Sequence, residues 1–232
     1  MSRVKLYGTR FSPFVEKVAR GFGLKRIAFD LTEPRSPGDL RRWSPQTSKM
    51  PVAEIDGERI YDSTFILQRL DEIEPRPPLL SDDPAVASAQ RLLEDWADES
   101  LYWLRMAILW NHRNAATTTE AVLSDLAPPS LVRPLMRPIL LRAMRRSTQS
   151  QGFGRLPADV LGRELGARIS DLATLLGDRP FFHSDRPGLA DLAVYAQLTF
   201  AGAATPPEFV RTLDTQPRLR DWQKDVEQAT GG

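Results

Sequence analysis

Short strand-like apolar runs alternate with helical spacing over residues 1–75, and helical spacing alone continues after them. Val4 to Leu6 reads as a strand, tight at Gly8. Pro13 to Phe22 reads as a helix with Phe14, Val18 and Phe22 on one face at i, i+4, i+8. A second strand follows at residues 27–31, then a short polar helix over 39–43, closed by Ser44-Pro45. Strands at 52–55 and 59–61 flank Asp56-Gly57, a strong hairpin signal. Ser63 to Glu74 predicts a helix that buries Phe65, Ile66, Leu67 and Leu70. The order is β-α-β-α-β-β-α.

The stretch PRPPLLSDDP, residues 75–84, holds four prolines and two adjacent aspartates, the composition of a boundary. The expected division is therefore a domain over 1–76, a linker over 77–85 and an all-helical domain over 86–232. Val86 to Asn111 reads as one long helix. The region 117–151 is expected to be broken at Pro128-Pro129, Pro134 and Pro138. Ala158 to Leu176 carries Leu161, Leu165, Ile169, Leu172 and Leu176 on one side. Leu189 to Thr205 is apolar nearly all round, the mark of a buried central helix. A last helix is predicted over 218–228. No internal repeat or low-complexity segment is present.

Composition narrows the chemistry. The chain has 232 residues, 41% hydrophobic and 26% charged, which suits a globular protein with a sizeable core. A net charge of +1 gives no whole-chain field toward nucleic acid. No apolar run is long enough to span a membrane, and the start runs into a strand without signal-peptide character, so a cytoplasmic location is expected. Cysteine is absent, which removes disulfides, thiolate metal sites and protein thiol nucleophiles. Any thiol chemistry must use a thiol that a ligand brings. Only His112 and His183 could offer imidazole, and they lie far apart in sequence, so no metal site is expected.

Three short motifs carry candidate chemistry. Ser12 precedes Pro13 at the corner between the first strand and the first helix. Proline is natural in a first helical turn, and Ser12 then either caps the helix or turns its hydroxyl toward a ligand at the positive helix end. Met50-Pro51-Val52 leads into a central strand, as a trans or a cis proline. Asp62-Ser63 opens a helix, where a carboxylate and a hydroxyl either cap it or hold an amino-acid head group.

In this order and spacing the motifs resemble the glutathione transferases over nearly the whole chain. SPFVEKV is most similar to the serine-type classes, above all the plant tau class, with Lys17 as the basic residue after the S-P-F motif. DRPGLADLAVYAQL, residues 185–198, resembles the family's buried capping-box helix. The stretch 151–182 is similar to bacterial relatives of the metaxin and failed-axon-connections branch.

The resemblance implies a thioredoxin-like α/β N-terminal domain followed by an all-α C-terminal domain, and a homodimer. It implies glutathione as co-substrate and conjugation of its thiolate to a small hydrophobic electrophile, as in detoxification. Peroxidase or isomerase activity with the same thiolate, or a non-catalytic binding or scaffold role, are the alternatives. Ser12 would donate to the glutathione sulfur, with Tyr7 the alternative. Met50, before Pro51, would pair with the cysteinyl backbone. Asp62 and Ser63 would hold the γ-glutamyl end, and Lys49 could reach a carboxylate. The second-substrate pocket would draw on Phe11, Trp103, Met106, Trp110 and His112. Trp103, Met106 and Trp110 share one helical face, which plain core packing explains equally well.

The family pattern is not kept everywhere. Asp62 stands where the family usually has Glu, Gly188 stands where a Ser or Thr usually caps, and Arg41 and Arg42 stand where a lysine would meet the glycyl carboxylate. A further basic amphipathic patch, residues 134–146, reads as a solvated helix face or as a membrane-surface contact.

Overall fold

A computed structural model describes residues 4–199 and 205–231. Four strands, β1 (Val4–Tyr7), β2 (Phe29–Thr32), β3 (Val52–Ile55) and β4 (Glu58–Tyr61), form one sheet in the order β2-β1-β3-β4. β1 runs parallel to β2 and antiparallel to β3, and β3 pairs antiparallel with β4. The parallel pair requires a crossover, which α1 (Pro13–Leu24) supplies. At the hairpin, Asp56 and Gly57 have φ of 53° and 84°, the left-handed pair of a type I′ turn, whose twist suits the strands. α2 (Pro37–Trp43) and α3 (Ser63–Ile73) complete a thioredoxin-like α/β half.

The described residues form two compact units. The first comprises those of Met1–Asp95, Asp178–Thr199 and Trp222–Gly232, and the second those of Trp96–Gly177 and Phe200–Asp221. In the first, Leu6 and Ala53 from the sheet pack with Val18 and Phe22 of α1 and Ile66 and Leu70 of α3. α4 (Pro84–Trp96), α9 (Leu189–Leu198) and α11 (Pro217–Ala229) follow the sheet half in the chain. Leu192 of α9 joins the same core.

Asp191 organises this layer. Its carboxylate accepts from the Phe182 N–H at 2.9 Å, the Gly188 N–H at 3.0 Å and the Trp222 indole N–H at 2.8 Å. The acidic half of a capping box is thus present without a capping side chain. The reason lies at Gly188, where a Cβ would stand 2.8 Å from the Leu79 carbonyl oxygen and 3.0 Å from Gln90 Nε2. The Leu79 carbonyl accepts from Leu189 N–H at 2.8 Å, so the proline-rich segment lies too close for a serine or threonine.

The second unit holds α5 (Tyr102–Trp110), α6 (Ala115–Leu126), α7 (Arg133–Gln151), α8 (Ala158–Leu176) and α10 (Pro207–Asp214). α8 buries Leu161, Leu165, Ile169, Leu172 and Leu176, one side of the helix.

Four expectations need correction. Phe65 is 61% exposed, because α3 turns Ile66, Leu67 and Leu70 inward and the adjacent position falls outside that face. The expected long helix over 86–111 is interrupted by a π-helical turn at Ala97–Leu101. Pro138 does not end α7; it lies on an exposed face, where water can pair the carbonyl it leaves without a donor. The predicted helix over 189–205 stops at Leu198, with Thr199 extended, and residues 200–204 of that prediction lie outside the described residues.

Candidate functional site

α1 begins as its sequence requires. Ser12 is the N-cap in an extended conformation, Pro13 fills the first turn, and Glu16 adds a favourable charge at the positive helix end. The Ser12 Oγ accepts from the Val15 N–H at 3.4 Å, a long bond, and donates to no described residue. Its proton is therefore uncommitted at a helix N-terminus.

Met50 adjoins the loop that carries Ser12. Its thioether accepts from the Thr9 N–H at 3.3 Å, and the Met50–Pro51 peptide is cis. The Met50 backbone N–H and carbonyl take no partner among the described residues. Lys49 is exposed. Asp62 caps α3, its Oδ1 accepting from the Thr64 N–H at 2.9 Å, and it holds a φ of 75°. Asp62 is exposed and Ser63 is buried.

Beneath these two helix starts lies a buried ion pair. Lys17, fully buried, donates to Glu94 Oε1 at 2.5 Å and to the Thr64 hydroxyl at 3.4 Å. The Thr64 hydroxyl in turn donates to Glu94 Oε1 at 2.5 Å. One carboxylate on α4 thereby ties the second turn of α1 to the first turn of α3.

Tyr7 is in a different position. It is buried against Trp43, with ring centroids 5.1 Å apart. Its phenol donates to Glu54 Oε2 at 3.1 Å. Hydrogen bonds from Lys5 and Tyr7 hold the Glu54 carboxyl below the ordinary carboxylate range, so it stays an acceptor at neutral pH.

Among the proposed pocket residues, Phe11 is half-buried just ahead of Ser12 in the first unit, and the others belong to the second. Met106 and Trp110 are buried in a cluster with Leu109 and Ala115, and Trp103 packs against it. His112 is exposed. Trp110 and His112 both line a cavity of about 430 Å³ within the second unit, beside Arg113, Arg145, Thr148 and Asp159. On α5 the buried Arg105 guanidinium is pushed down to about 10 by desolvation. No group of three or more His, Cys, Asp or Glu suited to a metal occurs among the described residues.

Comparison with known proteins decides the family. The glutathione S-transferase N-terminal domain matches residues 6–78 and the C-terminal domain matches 163–224, together more than half of the chain. The chain belongs to the glutathione transferase family. Glutathione S-transferase U6 of Arabidopsis thaliana is 32% identical over 101 residues, 42% of this chain and 45% of that one. The chain thus spans about half the length of the plant transferases it matches. The isoprene-epoxide glutathione S-transferase of Rhodococcus sp. strain AD45 is 26% identical over 227 residues, 93% of this chain and 91% of that one. In structure, rice GST1 in complex with glutathione superimposes with a TM-score of 0.66 at 22% identity, over 99% of this chain and 89% of that one.

Sequence reasoning missed the role of Glu94, 77 positions from its lysine partner. A signal existed: Lys17 falls within the apolar arc of α1, and Gln90 and Glu94 fall within the buried stripe of α4.

Proposed function

We propose that the protein is a serine-type glutathione transferase that joins the glutathione sulfur to a hydrophobic electrophile. The reading rests on the different commitments of two hydroxyls. Tyr7 spends its proton on Glu54, whereas Ser12 keeps its proton free at the start of α1. A hydroxyl there stabilises a thiolate and does little for a thiol. Lowering a thiol pKa from about 8.5 by two units takes about 2.7 kcal/mol. One hydrogen bond to an anion, at about 1.5–3 kcal/mol, together with a helix terminus, supplies that order.

Glutathione would lie along the first unit. Its cysteinyl backbone would pair with the open N–H and carbonyl of Met50, its γ-glutamyl ammonium would meet Asp62, its carboxylate the start of α3 and Ser63, and Lys49 would reach a second carboxylate. The thiolate then attacks an electrophilic carbon, the S–C bond forms, and the leaving group or the opened epoxide oxygen takes the electron pair. Phe11, half-buried just ahead of Ser12 in the first unit, is the candidate for contact with the electrophile.

The test follows thiolate absorbance of the glutathione complex against pH, with calorimetric affinity and turnover on an activated aryl halide. Ser12→Ala should raise the bound thiol most of the way toward about 8.5 and lower turnover about 10- to 100-fold, with affinity changed much less. If the wild-type complex titrates like free glutathione, the proposal fails. If Tyr7→Phe restores the thiol and Ser12→Ala does not, the activator is Tyr7.

A further inference from the structure

α7 carries five arginines and no carboxylate in a chain whose net charge is +1. Its residues divide by face. Leu140, Leu141 and Met144 pack toward Met106, Leu109 and Trp110 of α5. Arg133 and Arg137 pair with Glu120 on α6 at 3.0 Å each. At 100° per residue, Leu135, Pro138, Ile139, Arg142, Arg145 and Arg146 fall within an arc of roughly 120° on the remaining side. Leu135 and Ile139 are each 68% exposed, and Leu131, just before the helix, is 89% exposed. Arg142, Arg145 and Arg146 form no salt bridge among the described residues, and with Pro138 and Leu141 they line an open groove of about 590 Å³.

We infer that this face of α7 docks the protein on an anionic lipid surface. The face is apolar in its first half and cationic in its second, over about 16 Å of helix. A second copy is a poor occupant, since pairing the face with itself would oppose arginine to arginine or bury it against leucine. An acidic protein would answer the arginines but would need a separate apolar patch for Leu135 and Ile139. A bilayer interface offers both at once, phosphates for the guanidinium groups and acyl carbon below them for the aliphatic side chains. Docking of this kind needs no membrane span, and no described helix is long and apolar enough to form one.

The whole chain is sedimented with phosphatidylcholine vesicles, with and without phosphatidylglycerol, at rising salt. Binding should require phosphatidylglycerol and weaken as salt rises. Replacing Arg142, Arg145 and Arg146 together by glutamine should lower the partition coefficient about 100-fold, close to fivefold for each arginine. Leu135→Ser with Ile139→Ser should weaken binding while leaving its salt dependence in place. Leu135, Ile139, Arg142 and Arg146 are exposed and Arg145 is half-buried, so an unchanged circular dichroism spectrum should accompany each variant. Equal binding to neutral vesicles, no binding at low salt, or undiminished binding by the arginine variant would each overturn the inference. So would capture of the same face by poly-glutamate without vesicle binding, which would make the partner an acidic protein.

Discussion

Replacing Lys17 by methionine tests whether the buried pair sets the two helix starts that carry Ser12 and Asp62. Lys17 and Glu94 have side-chain exposures of 0% and 7% at a separation of 2.5 Å. Methionine fills most of the volume of the lysine stem but removes the counter-charge. Glu94 is then a buried carboxylate with the Thr64 hydroxyl as its described donor. Breaking a buried pair on one side costs about 3–5 kcal/mol, much of a typical domain's stability. For a chain of this length that lowers the unfolding midpoint by roughly 10 °C. The partner experiment is Lys17→Met with Glu94→Leu. Two packed apolar groups can replace a buried pair at little cost, so the double variant should return to within about 2 kcal/mol of wild type. Urea unfolding followed by tryptophan fluorescence measures all three proteins. If the single variant is as stable as wild type, or the double is no better than the single, the pair is not a coupled unit.

Two further predictions concern the α9 layer. Burial pushes the Asp191 carboxyl up from 3.8 to about 6, so the folded protein holds a proton there that the unfolded chain has lost. Stability from this group is therefore highest below its unfolded value and falls as pH rises through the window between the two, by about 3 kcal/mol at most. Asp191→Asn should remove that slope, and the difference between wild-type and variant stability across the window measures it; parallel curves would reject the assignment. Gly188→Ser introduces a preferred capping residue, yet should destabilise by roughly 1–3 kcal/mol, since its Cβ meets the Leu79 carbonyl and Gln90. A raised unfolding midpoint would show that the segment at Leu79 yields readily.

The order of elements was legible because each has a local signature. Pro13 behind a serine starts α1, Asp56-Gly57 closes the hairpin, and the leucine spacing of residues 161–176 marks α8 on its buried side. What failed to read depended on distant chain. Phe65 differs from Ile66 only in which way α3 faces the sheet. Gly188 looked like a weakened cap, and only the nearness of Leu79 explains it. Lys17 and Glu94 each look like surface residues until their helix faces are drawn. Helix α10 carried a short signal that went unread: Phe209 and Leu213 fall at i, i+4 and are both buried, and its Glu208 accepts from Asn114 of the α6 cap at 2.6 Å.

The two readings of Ser12 that the sequence left open need not exclude each other. A cap accepts: the Val15 N–H uses a lone pair on the hydroxyl oxygen. A thiolate ligand would need a donor, and the proton of the same hydroxyl remains to be given. Tyr7 has no such freedom, because cross-strand geometry decides its partner. Lys5 lies opposite Glu54 in the β1–β3 register and Tyr7 lies opposite Val52, two positions along on the same face, so both side chains converge on one carboxylate. For Tyr7 to bind a sulfur anion it would have to abandon that charge-assisted bond, and Glu54 would lose a donor as it did so. Ser12 gives up nothing comparable. The long 3.4 Å capping bond can persist while its proton turns outward, so the residue that starts the helix can also face the ligand.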